Sequence, residues 1–112
     1  MPIKRSLATR VGIDVLRKKY PTPKPAWTEG RTRSDYSVGG ALCSELCVEL
    51  GYAKGEFLPF PINELVAEAL CLCNNNLPKH QALSFAREIN QRSDEGQFED
   101  AWSAMENAFD YR

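Results

Sequence analysis

The sequence predicts an all-α protein, with four to five helices in a compact bundle and a proline-rich N-terminal arm. Apolar residues recur at spacings of three and four in five windows, which is the pattern of amphipathic helices. The sequence lacks sustained runs of alternating β-branched residues, and it lacks the Asn-Gly and Asp-Gly turns of hairpins. Its 112 residues correspond to one domain with a single modest core.

We predict a first helix over residues 6–20, with Ser6 as its N-cap and Pro21 as its stop. Gly12 lowers the helix propensity of this window. Its apolar side chains form two adjoining rows. One row contains Leu7, Val11 and Val15, and the other contains Leu16 and Tyr20. Residues 21–36 form a proline-rich connector, in which Trp27 is expected to dock on a core.

The second helix is predicted from Ser37 to Leu50, with Gly51 as its terminator. The Gly39-Gly40 pair would let another backbone approach closely. Its polar face is predicted to hold Ser44, Glu45 and Glu49, pointing to solvent. A loop over Phe57–Pro61 leads to the third helix.

We place the third helix at Ile62–Cys73, ended by three asparagines that tolerate left-handed geometry. Pro78 opens the fourth helix as a first-turn proline. Residues 93–96 form a turn, where Asp94 with Gln97 resembles a capping box for the fifth helix. The apolar stripes are Ile62, Leu65, Val66, Ala69, Leu70 and Cys73, then Ala82, Phe85, Ala86 and Ile89, then Phe98, Ala101, Trp102, Met105, Ala108 and Phe109.

Charge divides the chain into two parts. Residues 1–33 hold nine bases and two acids, a net +7, whereas residues 34–112 hold five bases and thirteen acids, a net −8. We therefore divide the chain into a basic N-terminal helix with its connector, 1–36, and an acidic helical core domain, 37–112. Opposite charges of nearly equal size favour docking of the basic arm on its own body or on a second copy.

The sequence contains no apolar run long enough for a membrane helix, and its basic start lacks the features of a secretory signal. We expect a cytoplasmic protein whose cysteines stay reduced. The spacing of these cysteines departs from that of zinc sites, and most of them fall on apolar stripes. A metal or redox site is the third interpretation of this chain, with candidates Cys43, Cys47, Cys71 and Cys73.

Catalytic groups are not apparent. His80 is the only histidine and is expected at the surface, and no serine lies in a nucleophile motif. We predict a non-enzymatic interaction or regulatory protein without a cofactor, which binds a protein partner or itself as a homodimer through the basic arm. The predicted partner-binding residues are Arg10, Arg17, Lys18, Lys19, Trp27, Arg31, Arg33, Phe57 and Phe60.

The alternative is a nucleic-acid-binding regulator, in which the bases neutralise phosphates and Tyr20 and Trp27 stack on nucleobases. The acidic body would repel a polyanion, so this interpretation ranks second.

Two short elements, Trp27-Thr28-Glu29-Gly30 and Val38-Gly39-Gly40-Ala41-Leu42-Cys43, resemble a small all-helical family of unknown function from bacteria and their phages. The resemblance covers residues 27–43 and 89–109. Ser37 stands where that family tends to have cysteine, and Ser93-Asp94 replaces Asn-Asp. The resemblance implies an all-helical domain and transfers no activity to any residue.

Overall fold

The computed structural model describes residues 11–20, 38–50 and 62–112, without the side chains of residues 44, 47–50 and 62. In these ranges the chain forms helices and no strand, which confirms the predicted all-α class for the described part. The proline-rich arm and the Phe57–Pro61 loop lie outside it. The helices are α1 Ile13–Lys19, α2 Val38–Leu50, α3 Ile62–Cys73, α4 Lys79–Asp94 and α5 Phe98–Phe109.

The helices pack mainly against their neighbours in the chain. Helix α4 lies between α3 and α5 in sequence and packs on both, α2 lies against α3 and α4, and α1 lies against α5. The Cα radius of gyration is 12.2 Å, in keeping with a compact bundle. None of the described helices is both long enough and apolar enough to cross a bilayer.

Helices α3, α4 and α5 supply most of the core through the stripes predicted from their periodicity. A helix with one apolar stripe buries that stripe and leaves its other faces in water. The buried members of the predicted stripes are Leu65, Val66, Ala69, Leu70, Ala82, Ala86, Ile89, Ala101, Trp102, Met105 and Ala108.

Helix α2 differs because its first two turns are buried on every side. Each residue from Val38 to Cys43 is buried, and so are Glu45 and Leu46. A helix that is apolar around most of its circumference belongs inside a fold. Gly39 makes this possible, since a Cβ atom there would collide with Asn90 Oδ1 and would lie 2.9 Å from Val66 Cγ2. The predicted neighbour was another backbone, whereas the atoms that crowd Gly39 belong to the side chains of Asn90 and Val66.

The end of α4 corrects the predicted capping box. Gly96 adopts a φ of 77°, and the Gln97 and Gly96 amides donate to the Arg92 and Ser93 carbonyls at 2.8 and 3.0 Å. This is the Schellman arrangement that ends a helix at a left-handed glycine. The helix therefore continues through Asp94, which is too early in the chain to cap α5. Gln97 is the N-cap residue of α5 and makes no side-chain capping bond.

The end of α3 also differs from the prediction in its mechanism. No non-glycine residue in the described ranges has a positive φ, so the asparagines do not end α3 by left-handed geometry. Asn74 acts through its buried side chain instead. Its Nδ2 donates to the carbonyls of Ala108, Phe109 and Tyr111 at 2.7–3.1 Å, and its Oδ1 accepts from the Asn76 amide at 3.0 Å. One amide thus joins the end of α3 to the end of α5.

The first helix is shorter than predicted. It begins at Ile13, and Gly12 is extended with φ −154° and ψ 168°, so a continuous helix over residues 6–20 is wrong at residues 11 and 12. Glycine has low helix propensity and interrupts the window here. The row that contains Leu16 and Tyr20 is buried, whereas Val15 is 49% exposed.

Gly39→Ala is expected to lower the free energy of unfolding by about 1–3 kcal/mol, because the added methyl group overpacks the contact with Asn90 and Val66. Denaturant unfolding measures the change. Gly12→Ala is the matched control, since a Cβ at Gly12 meets nothing within 4 Å, and we expect a smaller loss from it. Equal midpoints for the two variants would show that α2 does not need glycine at this contact.

Candidate functional site

Helix α1 is attached to the bundle by one apolar face. Leu16 is fully buried and Tyr20, one turn later, is 6% exposed, and both belong to the same core as α2–α5. The opposite face presents Asp14, Val15 and Lys18 to solvent. The division of the chain at residue 36 stays a prediction, but α1 itself shares the core of the rest.

Beside this apolar contact lies a buried carboxylate. Glu45 of α2 was predicted on a solvent-facing surface, and that prediction is wrong because α1 covers it. Tyr20 Oη donates to Glu45 Oε2 at 2.8 Å, and Lys19 Nζ donates to the same oxygen at 2.9 Å. The Glu45 side chain is only 8% exposed. A buried charge requires such partners, so the end of α1 and the middle of α2 depend on each other.

A second charged contact joins α1 to α5. The Arg17 guanidinium donates through Nη2 and Nη1 to the two carboxylate oxygens of Glu99, at 2.8 and 3.3 Å. Its Cζ lies 5.6 Å from the centre of the Trp102 ring, within the range of a cation–π contact. Glu99 is 79% exposed, so water screens this pair and its contribution to stability is small. The contact mainly fixes the direction of the arginine.

A cleft of about 620 Å³ lies between α1 and the C-terminal end of α5. Its apolar walls are formed by Ile13, Val15 and Phe109. Its acidic groups are Asp14 on α1 and Glu106 and Asp110 at the end of α5. Gly12 and Arg17 are the remaining described lining residues. A cavity of this size holds a small molecule or a few side chains.

The structure brings part of the predicted partner-binding set to this region. Arg17 lines the cleft, Lys18 is exposed on the free face of α1, and Lys19 is half exposed above Glu45. The cleft and the Glu45 contact therefore lie on either side of the same short helix. The other predicted partner-binding residues lie outside the described residues, and they are Arg10, Trp27, Arg31, Arg33, Phe57 and Phe60.

The cysteines behave mainly as core residues. Cys43 is buried, and Cys71 and Cys73 are half-buried against the core. Cys71 Sγ lies 3.6 Å from the Leu77 carbonyl, the distance of a weak hydrogen bond to sulfur. Cys47 belongs to α2, but its side chain lies outside the described set. Within that set, no three His, Cys, Asp or Glu side chains gather as metal ligands would. His80 is exposed, as predicted.

Comparison with known proteins does not assign this chain to a family. No protein-family model matches the chain, and no curated protein or solved structure was found to be similar to it. The resemblance of residues 27–43 and 89–109 to the small helical family therefore stays a prediction.

Sequence reasoning missed the acidic half of this region. Glu45 was predicted to face solvent, and no role was predicted for Glu99 or Glu106, yet the first two contact the end of α1 and the third lines the cleft. A signal was present for Glu45, because apolar and small residues surround it on nearly every side of the α2 helix. Periodicity gave no signal for Glu99 or Glu106, since their meeting with α1 is a tertiary contact.

Tyr20→Phe is expected to lower the free energy of unfolding by about 1.5–3 kcal/mol, because it removes a buried hydrogen bond to a carboxylate. Urea unfolding followed by circular dichroism gives the midpoint. Lys18→Ala, on the exposed face of the same helix, serves as control and should change the value by no more than about 0.5 kcal/mol. If Tyr20→Phe and the wild type have the same urea midpoint, the hydrogen bond from the Tyr20 hydroxyl to Glu45 does not stabilise the fold.

Cys73 should react slowly with alkylating reagents while the protein is folded. Burial raises the pKa of the Cys73 thiol to about 12, and the thiolate is the reactive form. At pH 8 a thiol with this pKa is ionised to about one part in ten thousand. Peptide mapping after iodoacetamide treatment should show Cys73 modified at least tenfold faster in urea than in buffer. Equal rates in the two solvents would contradict its burial.

Proposed function

We propose that this chain is a non-enzymatic protein-interaction domain with a regulatory role, and that a second copy of the chain is its partner. Recognition uses the basic N-terminal segment of one copy and the acidic helical body of the other. The observation that carries the proposal is the pairing of α1 with this body. Arg17 and Lys19 of the basic segment meet Glu99 and Glu45 within one chain.

The balance of charge extends this pairing beyond one molecule. The two described contacts use only two of the nine bases in residues 1–33 and two of the thirteen acids in residues 34–112. The opposite charges of the two parts of the chain can act between copies as well as within one copy. A positive segment on one copy and a negative body on another raise the rate of encounter and orient the two chains.

The surface around α1 also contains apolar area, which charge alone does not explain. Val15 is the exposed large apolar side chain of the described residues, and it lines the cleft beside α5. Phe109 adds apolar surface across the cleft. A protein interface combines an apolar centre with a charged rim, whereas a nucleic-acid surface is mainly basic. This combination favours a protein partner over nucleic acid.

Location forms part of the proposal. We place the protein in the cytoplasm, where the half-buried Cys71 and Cys73 would remain thiols. The resemblance to a family from bacteria and phages is compatible with a small regulatory partner protein.

The test is the molar mass of the full chain in solution at several salt concentrations. Light scattering after size exclusion should show a dimer at low salt that dissociates toward the monomer near 1 M salt, where screening acts over about 3 Å. A monomer at every salt concentration and at high protein concentration would overturn the homodimer. Titration with duplex DNA over the same salt series identifies the alternative, because phosphate contacts give a steep loss of affinity with salt.

A further inference from the structure

We propose that the cleft between α1 and α5 is the docking site for the basic, proline-rich segment 21–33 of a second copy of this chain. The inference rests on the proposed function and names the surface that the partner occupies. It commits to one occupant, chosen by charge and by the mixed apolar and acidic character of the cleft.

The walls of the cleft combine apolar and acidic side chains. Val15 and Phe109 offer apolar surface, and Asp14, Glu106 and Asp110 surround it with carboxylates. All three acids are exposed and are therefore accessible to a ligand. A ligand that fits such walls carries cationic groups next to an apolar side chain.

The C-terminal end of α5 carries negative charge from its side chains. Basic residues commonly occupy the last turn of a helix, where they balance the helix dipole. The carbonyls of Glu106, Ala108 and Phe109 at this end already accept hydrogen bonds. The last turn of α5 contains no base, and Glu106 and Asp110 add negative charge there. This arrangement is unfavourable for the isolated helix and favourable for a bound cation.

The base that lines the cleft does not cancel this charge. The Arg17 guanidinium makes a bidentate contact with Glu99, which lies outside the cleft, and its Cζ faces the Trp102 ring. Among the described lining residues, three carboxylates accompany one base. That base is engaged by Glu99 and not by Asp110 or Glu106.

The composition of segment 21–33 suits the walls of the cleft. A volume of about 620 Å³ exceeds what an inorganic cation needs and suits a short stretch of chain. Segment 21–33 contains three prolines, one tryptophan and three bases, against one acid. Proline-rich segments bind with a small loss of conformational entropy, and aromatic residues commonly anchor them in apolar clefts. Trp27 would occupy the apolar part, with Arg31 and Arg33 near the carboxylates.

The decisive experiment exchanges charges between the two surfaces in the full chain. Glu106→Lys/Asp110→Lys reverses the cleft, and Arg31→Glu/Arg33→Glu reverses the segment. We expect each double variant alone to dimerise at least tenfold more weakly than the wild type by analytical ultracentrifugation. Mixing the two should restore association to within about threefold of wild type, because each cleft of the mixed dimer then faces a segment of opposite charge.

Glu88→Lys, an exposed acid of α4 outside the cleft, is the matched control and should leave the dimer constant within twofold. Circular dichroism checks that every variant is folded, and lysine at the end of α5 suits the helix dipole. A synthetic peptide of residues 21–33 should compete with wild-type dimerisation and should fail to bind the Glu106→Lys/Asp110→Lys protein.

The outcomes separate the two proposals. A wild-type dimer that ignores the cleft variants, or that weakens equally with Glu88→Lys, overturns the cleft and leaves the dimer standing. A monomeric wild type overturns both. A monomer that binds the added peptide through the cleft shows that the segment acts within its own chain or that another basic protein is the ligand, and it overturns the second copy as occupant.

Discussion

A carboxylate enclosed by a helical bundle needs partners, and Glu45 receives them from the end of α1. Tyr20 and Lys19 donate to one of its oxygens, while Leu16 on the same helix enters the core beside it. The apolar contact holds α1 near the bundle, and the buried charge fixes its rotation, because hydrogen bonds to one oxygen are directional. The exposed row with Val15 and the paired row with Arg17 follow from that rotation. The cleft beside α5 exists because α1 is held in this way.

Much of the bundle could be predicted because its helices obey simple local rules. The bounds of α3 and the stripe of α5 follow from periodicity, and glycine and asparagine mark the places where helices end. The failures occur where a distant residue decides. Asp94 resembles an N-cap in the sequence, but it is the last residue of α4, because that helix ends only at the left-handed Gly96. Val15 and Leu16 are equally apolar, and only packing decides which of them a seven-residue helix buries.

The candidate site was half predictable for the same reason. The bases of α1 were evident from the charge division of the sequence, so Arg17, Lys18 and Lys19 were identified as a surface feature. Their acidic counterparts were not, because sequence patterns do not connect residues as far apart as Arg17 and Glu99, which are separated by 82 positions. Acids on a predicted helix are usually solvated. Only the fold distinguishes Glu45, which is buried against the end of α1, and Glu99, which pairs with Arg17, from acids such as Glu88.

Helix ends ordinarily fray, and a binding surface built on the last turn of a helix would then be poorly defined. Asn74, at the end of α3, opposes the fraying of α5 because its side-chain amide donates hydrogen bonds to the carbonyls of Ala108, Phe109 and Tyr111. The ring of Phe109 and the carboxylate of Asp110 are therefore presented on a rigid wall before any ligand arrives. Such preorganisation limits the entropy that a partner must overcome on binding. The side-chain amide of Asn74, which is distant from the cleft residues in sequence, thus helps to fix the shape of the cleft opening.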